Sequence, residues 1–158
     1  MCDKFQIKEK IVAHGDVAPR RKWDPTSMFP WRELYTQYGL GMGVSDAEIK
    51  EAEQILGQKV CLHSECKKRC FDRTFYALLQ CFGYDVPDND VSKDINQYKN
   101  DQHNPVMAFI SHFSRNGQDI EKLGEPLVLT DLCHLYALCK KYPTGNNQNV
   151  DTLIERCK

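Results

Sequence analysis

The chain has 158 residues, of which 41% are apolar and 27% charged, with 21 Lys and Arg against 22 Asp and Glu for a net charge of −1. These figures fit a soluble globular chain of one domain or two small ones. Near-neutral charge argues against nucleic-acid binding driven by phosphate neutralisation, and no apolar run reaches the ~18 residues of a membrane span.

Met1 to Lys10 is polar and lacks the apolar stretch of a secretion signal, so a soluble chain without a signal peptide is expected. Residues 1–43 are rich in glycine and aromatics and contain both tryptophans, Trp23 and Trp31, with Pro19, Pro25 and Pro30. Lys10 to His14 reads as a short strand with His14 at its end. Gly15 to Ser27 is interrupted by two prolines and reads as a loop carrying the basic cluster Arg20, Arg21 and Lys22. Phe29 to Tyr38 predicts a helix, opened by Pro30 in its first turn and closed at Gly39.

Ser45-Asp-Ala-Glu48 is a capping box for a short helix ending near Gly57. Phe71, Phe75, Leu78, Leu79 and Phe82 form the stripe of an amphipathic helix that Gly83 ends. Asp88 to Asn104 is polar and predicts only a short helix. Pro105 opens the next helix, with Val106, Phe109, Ile110 and Phe113 on one face. The last helix is capped near Thr130, carries Leu132, Leu135, Tyr136 and Cys139 as its stripe, and stops at Tyr142-Pro143. Residues 144–158 begin Thr-Gly-Asn-Asn and read as a turn or tail. Three main helices with facing stripes can pack as a small bundle.

The 8 cysteines are too sparse for a disulfide scaffold, and reduced thiols are the default without a secretion signal. Cys81, Cys133 and Cys139 lie among apolar residues and read as small core hydrophobes. Cys61, Cys66 and Cys70, with His63 between them, include zinc-ligand types, but their spacing fits no common zinc finger. A partly buried helix start is the preferred reading there.

The chemistry concentrates in His14-Gly-Asp-Val-Ala-Pro-Arg-Arg-Lys22-Trp-Asp24-Pro25, followed by Phe29-Pro30-Trp31. An imidazole at His14 and a carboxylate at Asp24 are both zinc-ligand types. Lys22 can place positive charge where an oxyanion develops. On residue types alone, a strand-end histidine and a turn aspartate before Pro25 are the preferred reading of His14 and Asp24, because two ligands do not make a site.

The order and spacing of this string resemble the zinc-dependent N-acetylmuramoyl-L-alanine amidases of the type 2 family, which cleave bacterial peptidoglycan. Their late motif runs His-Ser-Asp-Ile-Ala-Pro-Gly-Arg-Lys-x-Asp-Pro-Gly-Pro, then Phe-Pro-Trp. The resemblance implies that His14 and Asp24 bind zinc, that Lys22 supports the tetrahedral intermediate, and that Asp16 is structural. The chain departs from the motif at Arg20 and at Thr26-Ser27, which are loop positions.

Trp31 to Gly41 is similar to the family's closing helix. The segments Phe75 to Val86, Val106 to Asn116 and Tyr136 to Tyr142 are similar to the helical peptidoglycan-binding domain that follows it in some members. The implied fold is mainly α, a C-terminal remnant of an α/β amidase domain (one short strand, a loop and a helix) followed by a three-helix bundle. Residues 1–43 would be the catalytic remnant, 44–143 the helical domain and 144–158 a tail. Such enzymes take a further zinc histidine and an acidic residue from earlier strands. The residues before His14 include no histidine, and Asp3 and Glu9 are too near to fill those places. The expectation is half a zinc site, a truncated enzyme and little hydrolysis by the chain alone.

Peptidoglycan or muropeptides are the implied partners. The alternative is a non-catalytic peptidoglycan-binding or helical interaction protein, with Tyr84 and Tyr136 stacking on sugars. His112 with Cys157 lacks the flanking residues of a caspase-like hydrolase, and His112 is placed on the bundle surface. His63, His103 and His134 receive no role.

Overall fold

The structure, a computed structural model, describes residues 11–59, 65–86, 95, 103–143 and 149–155. The fold is mainly α, with no strand among the described residues. In chain order the helices are α1 (His14–Val17), α2 (Trp31–Tyr38), α3 (Asp46–Lys59), α4 (Glu65–Phe82), α5 (Pro105–Phe109), α6 (Ile120–Leu123), α7 (Leu129–Lys141) and α8 (Val150–Glu155). A π-helical turn, Ile110–Ser114, continues α5.

Local signals set most boundaries. Gly39 closes α2 with φ 61°, and its N–H donates to the Tyr35 carbonyl at 3.0 Å. Ser45 and Glu48 cap α3 reciprocally. The Glu48 carboxylate accepts the Ser45 N–H at 2.7 Å, and the Ser45 hydroxyl accepts the Glu48 N–H at 3.3 Å. Asn104 caps α5 by accepting the Met107 N–H at 2.9 Å, with Pro105 in the first turn. At α7 the cap moves from the expected Thr130, which lies inside the helix, to the Asp131 carboxylate, which accepts the Val128 N–H at 3.0 Å.

The core forms around α7. Its Leu132, Leu135 and Leu138 have no exposed surface. They pack among Ala52 and Leu56 of α3, Phe75, Leu78 and Leu79 of α4, and Phe109 and Ile110 of α5 and the π-helical turn. The stripes read from the sequence are therefore the buried faces, since apolar residues at helical spacing leave water together. Cys81, Cys133 and Cys139 are buried within this cluster and form no disulfide. Burial, with lesser contributions from Glu53 and Asp131, pushes the Cys133 thiol up to about 11, so it is an apolar filler and not a nucleophile.

Three expectations change. Residues 11–13 have no regular structure and His14 opens a helical turn, so the strand is absent over the described part of Lys10–His14; Lys10 lies outside the described residues. A strand needs a ladder partner, and among the described residues no other extended segment supplies one there. Residues 150–155 form α8, not a loose tail, because Val150 and Ile154 are buried in the core. Tyr84 and Tyr136 are 6% and 3% exposed, with hydroxyls donating to Asp16 and Asp151, so neither ring face is open to a sugar. The expected short helix within 88–104 lies almost wholly outside the described residues, as do Cys61, His63 and Cys157, and nothing is described of the Cys66 side chain.

Candidate functional site

The string from His14 to Trp31 wraps against α5, the π-helical turn and the turn at residues 115–117. Its first residues close the short helix α1, where the Ala18 N–H donates to the His14 carbonyl at 2.9 Å. The chain then turns back. The Lys22 N–H donates to the Ala18 carbonyl at 2.9 Å, and the Gly15 N–H donates to the Asp24 carbonyl at 3.1 Å. That return brings side chains ten positions apart together: His14 Nδ1–H donates to Asp24 Oδ2 at 2.6 Å. The Asp24–Pro25 peptide is cis.

The loop's far end is tied down by side chains that the helical stripes do not include. Ser27, at a departure from the amidase motif, is buried and donates its hydroxyl to the Gln118 carbonyl at 2.7 Å. Asn116 Nδ2 donates to the carbonyls of Ser27 and Phe29 at 2.9 and 2.8 Å, and its Oδ1 accepts the Arg32 N–H at 3.2 Å. Further on, Lys141 at the end of α7 donates to the Tyr35 hydroxyl and to Glu48 at 2.6 and 3.0 Å, pinning α2 to α3.

Behind the loop lies a buried polar group. The Asp16 carboxylate accepts the Ala13 N–H at 2.9 Å, the Tyr84 hydroxyl at 2.5 Å and His112 Nδ1–H at 2.5 Å. Burial and the Asp16 charge hold the Tyr84 phenol well above its usual value, so it stays a donor. His112 is 3% exposed, which corrects its expected place on the bundle surface. Three positions after Phe109 it already lies toward the core, and the π-helical turn completes the placement. Its wider spacing, with the Arg115 N–H donating to the Ile110 carbonyl at 2.8 Å, turns His112 inward. The imidazole lies between the rings of Trp31 and Phe113, at centroid distances of 4.1 and 3.9 Å. It also lines a cavity of about 30 Å³ with Trp31, Tyr35 and Val44.

His14 and Asp24 are exposed, with side chains 74% and 63% accessible, and Lys22 is exposed beside them. The hydrogen bond from His14 is the largest influence on the Asp24 carboxyl and holds it below the usual carboxylate range. Desolvation opposes it, and the charges of His14 and Lys22 add to it. A depressed carboxyl favours the pair above the ordinary carboxylate range, and the pair is lost as pH falls through the depressed value. Carbon-13 titration is expected to place the Asp24 midpoint below the usual carboxylate range, and His14→Ala should raise it. An unchanged midpoint in that variant would mean that the pair does not form in solution.

The donor set tests the zinc expectation. With Nδ1 of His14 directed to Asp24, its Nε2 and one Asp24 oxygen remain for a metal. A catalytic zinc takes three protein ligands and a water. Among the described residues no group of three His, Cys, Asp or Glu side chains can hold a metal ion. The described donors therefore do not by themselves complete a catalytic zinc site. No helix among them is long and apolar enough to cross a membrane.

No protein-family model matches the chain, and no solved structure matches it with significance. One curated protein does. The chain is 31% identical over 112 residues to N-acetylmuramoyl-L-alanine amidase AmiD of Escherichia coli strain K12. Over that stretch the chain is similar to the amidase. The aligned stretch is 70% of this chain and 34% of AmiD, so the chain spans about a third of the relative's length.

Proposed function

We propose that this chain carries part of a type 2 amidase site that acts on the amide between N-acetylmuramic acid and L-alanine in peptidoglycan. In this reading His14 and Asp24 are zinc ligands, and Lys22 stabilises the oxyanion of the tetrahedral intermediate. Residues 1–43 belong to the amidase-like unit and 44–143 to a helical peptidoglycan-binding unit. The observation that carries the reading is the 2.6 Å approach of His14 to Asp24, in a string whose order and spacing match the amidase motif. The homology to AmiD agrees with it. Because the described residues supply two donors, no hydrolytic step is assigned to them alone.

Zinc titration by calorimetry tests the ligands. The wild-type chain is expected to bind zinc weakly, and His14→Ala and Asp24→Ala to abolish binding. Equal binding by all three would remove His14 and Asp24 from the reading. The chain alone is expected to release little or no free L-alanine amine from purified muropeptides, and strong zinc-dependent release would show that the site is complete.

The two-donor set also favours a second reading, a non-catalytic peptidoglycan binder. Co-sedimentation with insoluble peptidoglycan in the presence of a chelator distinguishes them. Undiminished sedimentation without hydrolysis supports the binder, and zinc-dependent sedimentation supports the metal site.

A further inference from the structure

We propose that Tyr84 and His112 are positioning residues for the His14–Asp24 pair and act on it through the carboxylate of Asp16. The inference deepens the reading of that pair given above and rests on it.

Asp16 lies two residues beyond His14 in α1. Its Oδ2 closes that turn by accepting the Ala13 N–H, so its position fixes the start of the segment that carries His14. The other two donors come from 68 and 96 positions away. Both are held by their surroundings. Tyr84 follows the end of α4 and is buried in the core, and His112 lies between two aromatic rings on the π-helical turn. Moving the Asp16 carboxylate would strand two buried donors, each at the cost of desolvation without a partner.

The constraint passes outward through the backbone. Gly15, between His14 and Asp16, donates its N–H to the Asp24 carbonyl, so the turn that Asp16 holds also holds the second member of the pair. The pair itself is too exposed to fix its own geometry, since exposed ion pairs contribute little. Asp16 thus acts on the exposed pair through the backbone of its turn, without a hydrogen bond to either side chain of the pair.

Amide hydrogen exchange on the full chain tests this without metal. The Gly15, Ala18 and Lys22 amides donate to the carbonyls of Asp24, His14 and Ala18 and report on the loop. They are expected to exchange about tenfold faster in Tyr84→Phe and His112→Ala, from the loss of one buried hydrogen bond to a charged group. The amides of α7 should keep their wild-type rates. His112→Asn retains an N–H donor and should restore part of the protection. Wild-type protection of the loop amides in Tyr84→Phe, or acceleration of loop and α7 amides together, would overturn the proposal. If His112→Ala does not fold, Tyr84→Phe, which loses a single oxygen, gives the answer alone.

Zinc titration of the same variants supplies the second arm, with affinity expected to fall about tenfold, at the lower end of the loss seen when groups that orient metal ligands are removed. Selective loss of loop protection in a chain whose wild type binds no zinc would support the positioning role and overturn the metal reading. Unchanged zinc affinity in Tyr84→Phe beside normal loop protection would overturn the positioning role and leave the metal reading standing.

Discussion

Replacing Arg115 by methionine is expected to lower the unfolding free energy by about 3–5 kcal/mol, the cost of stranding one partner of a buried ion pair. Arg115 and Asp131 are 6% and 2% exposed. The guanidinium is engaged at all three nitrogens. Nε and Nη2 donate to the two Asp131 oxygens at 3.2 and 2.7 Å, and Nη1 donates to the carbonyls of Lys122 and Glu125 at 2.8 Å each. Nη2 also donates to the Pro126 carbonyl at 2.9 Å. One side chain thus satisfies the backbone of the α6–α7 connection and anchors the first turn of α7.

Methionine keeps much of the volume and removes every donor. Among the described residues, Asp131 would then remain buried with the Ser114 hydroxyl and the Val128 N–H. Urea unfolding measures the loss. Arg115→Lys should recover little, because a point charge cannot reproduce the planar fork. Arg115→Met combined with Asp131→Leu should be less destabilised than the two single losses added together, since no unpaired charge remains. A single-variant loss under ~1 kcal/mol, the scale of exposed pairs, would show that water reaches the pair.

Phe75→Ala is expected to cost about 3–5 kcal/mol as well, by a different route. Phe75 has no exposed surface and packs edge-on against Phe109 with centroids 5.7 Å apart, and against Phe71 at 6.0 Å. Truncation removes buried apolar area and opens a cavity between α4 and α5 that the rigid neighbours cannot fill. The urea midpoint should fall with little change in the denaturant slope, which follows the surface exposed on unfolding. The exposed Phe29, on the loop, serves as control: its truncation should change stability far less.

Phe75 was visible in the sequence and Arg115 was not, and the contrast is physical. Phe71, Phe75, Leu78 and Leu79 repeat at the helical period, so burial is written into local spacing. The same holds for the Ser45–Glu48 box and the stops at Gly39 and Gly83, which are contacts within a few residues. Arg115 follows Ser-His-Phe-Ser and looks like a solvated cation, because nothing nearby announces a carboxylate 16 positions later. His112 misleads in a further way. It follows Phe109 by three positions, a spacing that already points toward the core, but the π-helical turn that completes its inward placement has no sequence signature of its own. Tyr84 and Tyr136 read as ring faces for a sugar because their acceptors, Asp16 and Asp151, lie far along the chain or in a segment read as a tail.

By itself the sequence determined the helical class, the apolar faces of the main helices, most of their starts and stops, and the spaced string from His14 to Trp31. These depend on periodicity, caps and order, which are properties of neighbouring residues. Only the tertiary structure decided that His14 meets Asp24, that Asp16 is held by Tyr84 and His112, that Ser27 and Asn116 tie the loop to the helices, and that residues 150–155 complete the core. Those pairings join polar groups across as many as 96 positions. Polar pairing of that kind is chosen when apolar faces close and leave particular donors and acceptors without water, so it exists only once the core has formed.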